Sequence, residues 1–197
     1  MLTKSERTKQ FIIEKTAPVF NTKGYAGTSI SDLTNATGLT KGSIYGNFEN
    51  KDEVALAAFD YNFQLVCAYI ISQMSNCNSI IDKLLIYPQV YRNYLNLPFL
   101  QAGCPIANTS TEADDTHPLL KEKAATALYF WRNSVERLIN TGIERREIKP
   151  DTNIIETVGI LTALIQGAAL HAKVSGDTNF LNLSMQFLKQ MIQNLKP

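Results

Sequence analysis

Residues 38–51 read GLTKGSIYGNFENK. Leu39, Ile44 and Phe48 are spaced as anchors of one buried side, while glycines, a tyrosine and two lysines fill the remainder. A core helix does not use residues that way, and a loop does not space its apolar residues so regularly. The stretch predicts a very short helix over about 40–47, capped by Thr40, with a polar side left for something outside the chain.

On the N-terminal side, Gly38 closes a helix expected over 29–37, which carries Ile30, Leu33 and Ala36 and takes Thr28 or Ser29 as its cap. Before it, residues 4–22 set Ile12, Ile13, Thr16, Ala17 and Phe20 at helical spacing, with a kink or irregular last turn expected at Pro18 and a stop at Gly24. On the C-terminal side, Asn50 caps a long helix that starts at Lys51 and carries Val54, Leu56, Phe59, Phe63, Val66 and Ile70. Two short helices joined by a tight turn around Gly38 match a helix-turn-helix. Ile30, Leu33, Leu39, Ile44 and Phe48 form its small core against Phe20 and Tyr25, which leaves Thr40, Lys41, Gly42, Ser43, Tyr45 and Asn47 facing outward.

Those residue types suit a DNA major groove. Gly42 and Ser43 let the backbone come close, and Thr40, Ser43 and Tyr45 offer hydroxyls to phosphates or base edges. Lys41 reaches a phosphate or a guanine, and the helix N-terminus favours phosphate. Periodicity alone fits a solvated helical hairpin equally well.

The rest of the chain reads as helices at about 79–97, 102–113, 117–146, 152–174 and 178–195. Pro88 is expected to bend the first. Pro118 suits the first turn of the third, behind Asp115 or Thr116 as cap, and Pro150 prevents that helix from continuing. No segment alternates with period two, so the fold class is all-α.

Composition limits the function classes. Hydrophobic residues make up 45% of the 197, enough for a sizeable core. An apolar run near the ~20 residues of a membrane span is not expected, and MLTKSERTKQ lacks the apolar segment of a signal peptide, so a cytoplasmic protein without a membrane partner is expected. Cys67, Cys77 and Cys104 lack CxxC spacing and are expected to be reduced thiols. The net charge is +1; residues 1–52 hold seven Lys or Arg against five acids, an excess that permits nucleic-acid binding without demonstrating it. A near-neutral chain is a poor architectural DNA binder, which needs many cations against phosphates. For an enzyme there is no GxSxG, no phosphate-cradling glycine loop and no HExxH. His117 in DDTH reads as a helix start with acids before it, so neither metal nor cofactor is expected.

The segment GYAGTSISDLTNATGLTKGSIYGNFENKDEV closely resembles the DNA-binding signature of TetR-family transcriptional regulators, which it meets at nearly every position from Gly24 to Lys51. Asn47 departs from it, since His is common there in the family. The resemblance implies a three-helix DNA-binding domain over 1–50 and a helical regulatory domain for ligand binding and dimerisation over 51–197. It implies a homodimeric repressor that a small-molecule effector releases from a palindromic double-stranded DNA operator. By the same resemblance the DNA-facing set is Thr28, Ser29, Thr40, Lys41, Gly42, Ser43, Tyr45, Asn47 and Lys51. An effector pocket is expected from Phe59, Phe63, Tyr87, Tyr91, Tyr94, Cys104, Phe130 and Trp131, although core packing explains the same aromatics. The helices at 152–174 and 178–195 are apolar over more than one stripe, as a core face plus a partner face requires, and two merely buried helices fit the pattern too. AGCPIANTSTEADDTHPLLKEKA resembles a Gly-Cys subgroup of the family. With Lys173 in HAK, Cys104 is similar to the sensor of the electrophile- and oxidant-responsive repressors that control N-ethylmaleimide reductase, which makes the pair a candidate redox switch, against the alternative of a small packed residue.

Overall fold

The computed structural model describes residues 3–197, and among them the regular structure is nine α-helices and one 3₁₀ turn, with no strand. The helices are α1 (Lys4–Lys23), α2 (Ile30–Thr37), α3 (Lys41–Tyr45), α4 (Lys51–Met74), α5 (Ile80–Arg92), α6 (Pro105–Ala113), α7 (Pro118–Glu144), α8 (Ile154–Ser175) and α9 (Asn179–Gln193).

Local chemistry accounts for most of their ends. Ser29 and Asp32 form a reciprocal capping box at the start of α2, and Asn50 Oδ1 takes the N–H of Glu53 at 2.9 Å at the start of α4. α1 continues through Pro18 as far as Lys23. Three boundaries differ from expectation. The helix predicted over 79–97 stops at Arg92, where Asn93 leaves helical geometry (φ −108°, ψ 13°), and only a 3₁₀ turn, Tyr94–Asn96, follows before Leu97, held extended by Pro98 (φ −100°, ψ 112°). α6 starts at Pro105 instead of 102, because Gly103 sits at φ 101°. The cap of α7 is neither Asp115 nor Thr116. With Pro118 as the first helical residue the cap falls on His117, whose Nδ1 accepts the N–H of Leu120 at 3.3 Å.

Packing divides the chain into two compact units. The first takes the chain up to Val66 together with Pro105–Ala125. α4 begins where the sequence division was drawn, and its residues 51–66 pack with the head formed by α1–α3: Val54, Ala55 and Ala58 share one core with Ile12, Ala17, Phe20, Leu33, Ile44 and Phe48. The second unit takes residues 67–104 and 126–197. There α9 packs on both α5 and α8, over a core that includes Ile81, Leu84, Ile139, Leu161 and Ile165.

α4 and α8 are long and apolar enough to cross a bilayer by length and composition, contrary to the expectation that no run reaches that length. Part of each is engaged within the protein. On α4, Asp60 takes the Lys123 ammonium and Asn62 donates to the carbonyl of Ala17 at 2.8 Å. On α8, Val158, Leu161 and Ile165 are buried.

Candidate nucleic-acid interface

α2 and α3 are set against each other by Gly38, which adopts the left-handed conformation (φ 69°, ψ 9°) and donates its N–H to Thr34 O at 2.8 Å. Leu33, Ile44 and Phe48 are buried beneath this turn, with Ile30, Leu39 and Tyr25 packed against them. α3 is capped by Thr40, whose Oγ1 accepts the N–H of Ser43 at 3.2 Å and lies 3.1 Å from the Ser43 hydroxyl. With Ile44 turned inward, Thr40, Lys41, Gly42 and Ser43 are exposed and Tyr45 is half-buried. At Gly42 an added Cβ would meet nothing nearer than Thr40 Oγ1 at 3.9 Å, so this backbone is open to close approach. The Lys41 ammonium lies 6.0 Å from the Tyr45 ring, which gives α3 a cation and a phenol side by side.

Other members of the expected DNA-facing set are engaged within the head. Thr28 is corrected: it is buried, and its hydroxyl donates to Gly24 O at 2.6 Å. Ser29 caps α2 from the surface. Asn47 donates through Nδ2 to Ser43 O at 2.9 Å, and its Oδ1 accepts the Ser5 hydroxyl at 3.3 Å, tying the end of the recognition segment to α1. The Lys51 ammonium lies 4.2 Å above the Tyr25 ring. Of the seven head cations, Lys9 and Lys23 are ion-paired, to Glu53 at 2.7 Å and Asp32 at 2.6 Å. The Lys23 hydrogen bond, joined by the Ser29 backbone and hydroxyl, holds the Asp32 carboxyl well below the usual carboxylate range.

Five residues at the base of the head, Tyr25, Asp52, Asn108, Glu112 and His117, carry chemistry that the sequence did not signal. Tyr25 donates its hydroxyl to Asp52, which pushes the phenol up to about 12. His117 lies edge-on to the Tyr25 ring at 4.5 Å, with its Nε2 3.8 Å from Asp52 Oδ1. From α6, Glu112 accepts the backbone N–H of Tyr25 at 2.9 Å and of Ala26 at 2.8 Å. Asn108 donates to Asn21 O at 3.1 Å. The hydrogen-bonded partners among them are up to 87 residues apart in the chain, and no local pattern links them.

The expected effector pocket is brought together only in part. Tyr87, Tyr91 and Trp131 pack in the second unit, each tyrosine ring centroid 6.0–6.3 Å from that of Trp131, and Tyr91 donates its hydroxyl to Cys104 Sγ at 3.5 Å. Burial raises both phenols far above their ordinary range. Trp131 Nε1 is a buried donor without an acceptor, as is Gln166 Nε2. Tyr94 is fully buried, with its hydroxyl on Ala169 O at 3.0 Å. Phe130 is corrected: neighbours on a helix point about 100° apart, so with Trp131 inward Phe130 is 53% exposed. Phe59 and Phe63 belong to the first unit, their rings 6.4 Å apart. Cys104 precedes α6 but is only 3% exposed, so its sulfur lacks the access that an oxidant- or electrophile-sensing switch needs. Lys173 is exposed on α8, with its ammonium pKa lowered by partial desolvation. Among the described residues no three His, Cys, Asp or Glu side chains are grouped to hold a metal ion.

Comparison with known proteins agrees with this geometry. Residues 12–58 match the family model for bacterial regulatory proteins of the tetR family, and residues 81–188 match the tetracyclin repressor-like C-terminal domain. The chain is 26% identical to the HTH-type transcriptional repressor DhaR of Mycobacterium sp. (strain GP1), over 96% of this chain and 92% of that protein. A TetR-family regulator from Cytophaga hutchinsonii is 44% identical, with a TM-score of 0.95 over 100% of this chain and 98% of the other. One from Chloroflexus aurantiacus is 35% identical, with a TM-score of 0.91 over 98% and 97%. With one family domain on the helix-turn-helix and another over more than half its length, the chain belongs to the TetR family of DNA-binding transcriptional regulators.

Proposed function

We propose that this protein is a homodimeric repressor that binds a palindromic double-stranded DNA operator through α3 of each protomer and leaves it when a small molecule binds the second unit. The observation that carries the DNA part is the five-residue α3, anchored by buried Ile44 and open to close approach at Gly42, with Lys41, Ser43 and Tyr45 on its outer side. The protein acts in the cytoplasm, without a cofactor and without catalysis.

Dimerisation is supported by the outer faces of α8 and α9, which match the stretches 152–174 and 178–195. Ile155, Val174, Leu183 and Phe187 are each more than half exposed there, and Gly159 and Gly167 have nothing within 4 Å of an added Cβ, leaving room for a partner helix. The effector reading is supported by the aromatic group Tyr87, Tyr91 and Trp131, where the buried indole N–H calls for an acceptor that a ligand can supply.

The test uses a duplex that the wild-type protein selects from a random pool. Two recognition helices reading successive grooves require half-sites about one helical turn, ~34–36 Å, apart. The Lys41→Ala/Tyr45→Ala double variant should lose selected-duplex binding with its fold intact. Lys41→Ala alone should flatten the salt dependence by roughly one unit of slope if it neutralises one phosphate. Full binding by the double variant would falsify the assignment of α3.

A further inference from the structure

In the first unit α6 makes a polar grip that neither the helix-turn-helix nor its core accounts for. α1 ends at Lys23 and is capped by Gly24 at positive φ (72°), and the next two backbone N–H groups, of Tyr25 and Ala26, point together at the Glu112 carboxylate. Each oxygen takes one of them, Oε2 at 2.9 Å and Oε1 at 2.8 Å. The carboxylate fills the space that a side chain on residue 24 would need: an added Cβ would lie 2.3–2.5 Å from it. One turn earlier on α6, Asn108 Nδ2 donates to both the carbonyl (3.1 Å) and the side-chain oxygen (3.0 Å) of Asn21. α6 therefore holds the last turn of α1 and the turn after it, while Thr28 fixes the far side of that turn through Gly24 O at 2.6 Å and leads directly into α2.

We propose that Glu112 is a positioning residue for operator recognition: it makes the helix-turn-helix follow α6 as one body. The proposal rests on the reading that α3 binds an operator. A dimer gains specific contacts only when both recognition helices meet their half-sites in register, so any rotation of a head about its first turn adds an ordering cost to specific binding. Binding to unrelated DNA is governed by phosphate neutralisation and needs no register. Losing the grip should therefore lower the first affinity and spare the second. A carboxylate that merely satisfies two turn amides would instead move thermal stability, with both affinities falling together or not at all.

The experiment compares wild type, Glu112→Gln, Glu112→Ala and Gly24→Ala on the selected duplex and on a random duplex of equal length. Glu112→Ala should weaken selected-duplex binding by about tenfold or more, in line with two charge-assisted hydrogen bonds lost. Random-duplex binding should hold or rise slightly as an anion leaves, and helix content by circular dichroism should be unchanged. Glu112→Gln, which keeps one acceptor, should fall between. Gly24→Ala, which drives the carboxylate out, should reproduce Glu112→Ala. Amide exchange at Tyr25 and Ala26 should quicken in all three variants. Should Glu112→Ala lose its helix content, the Gln variant decides. An unchanged ratio of the two affinities, or a parallel fall in both, overturns the proposal. If the wild-type protein selects no sequence at all, the operator reading fails and this inference falls with it.

Discussion

The two units both enclose apolar cores but differ in the polar contacts laid over them. In the first, carboxylates join segments remote in sequence: Glu112 to the turn after α1, Asp52 to the Tyr25 hydroxyl, Glu53 to Lys9 and Asp60 to Lys123. In the second, α5, α8 and α9 meet mainly through apolar and aromatic surface, with a few polar ties such as the Ile80 N–H to Glu147 and Arg92 to Asn182, and its strongly perturbed titratable groups are tyrosines and Cys67, raised by burial, Cys67 to about 11. Hydrogen bonds to carboxylates are directional and fix orientation, whereas apolar contact is non-directional. A head that must present α3 in one orientation uses the first kind. A unit that takes a ligand, as proposed above, is served by the second.

The comparison is broken most readily at the second unit's core. Leu161 is fully buried on α8, so Leu161→Ala should lower stability by about 2–5 kcal/mol through lost transfer energy and the cavity left behind. Trp131 is the chain's single tryptophan and lies in this unit, so its fluorescence in a denaturant titration reports the loss directly. A loss under about 1 kcal/mol would mean that this unit does not depend on close packing at α8.

Legibility in the sequence divides along the same line. The helix-turn-helix was readable because its cues are local: Gly38 as a left-handed stop, Thr40 as a cap, and Ile44 with Phe48 as inward anchors. Helix ends were missed where one residue's conformation overrides periodicity, as at Gly103 and at Asn93. Glu112 was illegible, because in TEADD it looks like any solvated acid and gains its partners only when α6 comes to lie on the end of α1. Burial direction was the other gap. Thr28 and Phe130 have side chains suited to the roles expected of them, but one is turned into the core and the other half out to solvent.

pH sharpens the contrast from both ends. Tyr87 and Tyr91 have folded pKa values raised above the ~10 of an unfolded chain, so their contribution is complete below that pH and is lost as pH rises through the folded values. The second unit should therefore loosen in alkali, seen as a change in the fluorescence of Trp131, which stacks on Tyr91 at 6.0 Å. Tyr91→Phe should move that change to higher pH. Tyr25, raised to about 12, gives the first unit a weaker response of the same sign. Asp32 and Glu53 have folded values below their unfolded ones, so their contribution is present above the ordinary carboxylate range and is lost as pH falls. Acid should thus lower amide protection in the head, relative to the intrinsic exchange rate at each pH, while leaving Trp131 unchanged. An alkaline transition identical in Tyr91→Phe and wild type would detach the effect from this phenol.

The smallest effect expected tests whether every ion pair of the first unit belongs to its frame. Lys123 and Asp60 meet at 2.5 Å and join α7 to α4, yet their side chains are 40% and 41% exposed. Water screens such a pair and competes for it, and ordering two long side chains opposes the gain, so the coupling should be about 0.2–1 kcal/mol. The Glu112 grip differs, because its donors are backbone N–H groups already fixed by the turn, so fewer side-chain rotamers must be ordered to form it. A double-mutant cycle with Lys123→Met and Asp60→Asn measures the coupling free of each residue's own packing. It should shrink further when the ionic strength is raised roughly tenfold, since added salt shortens the range over which exposed charges act. A coupling well above ~1 kcal/mol that persists in salt would make this exposed pair part of the frame, and exposure would then be the wrong criterion for telling a positioning contact from a surface one.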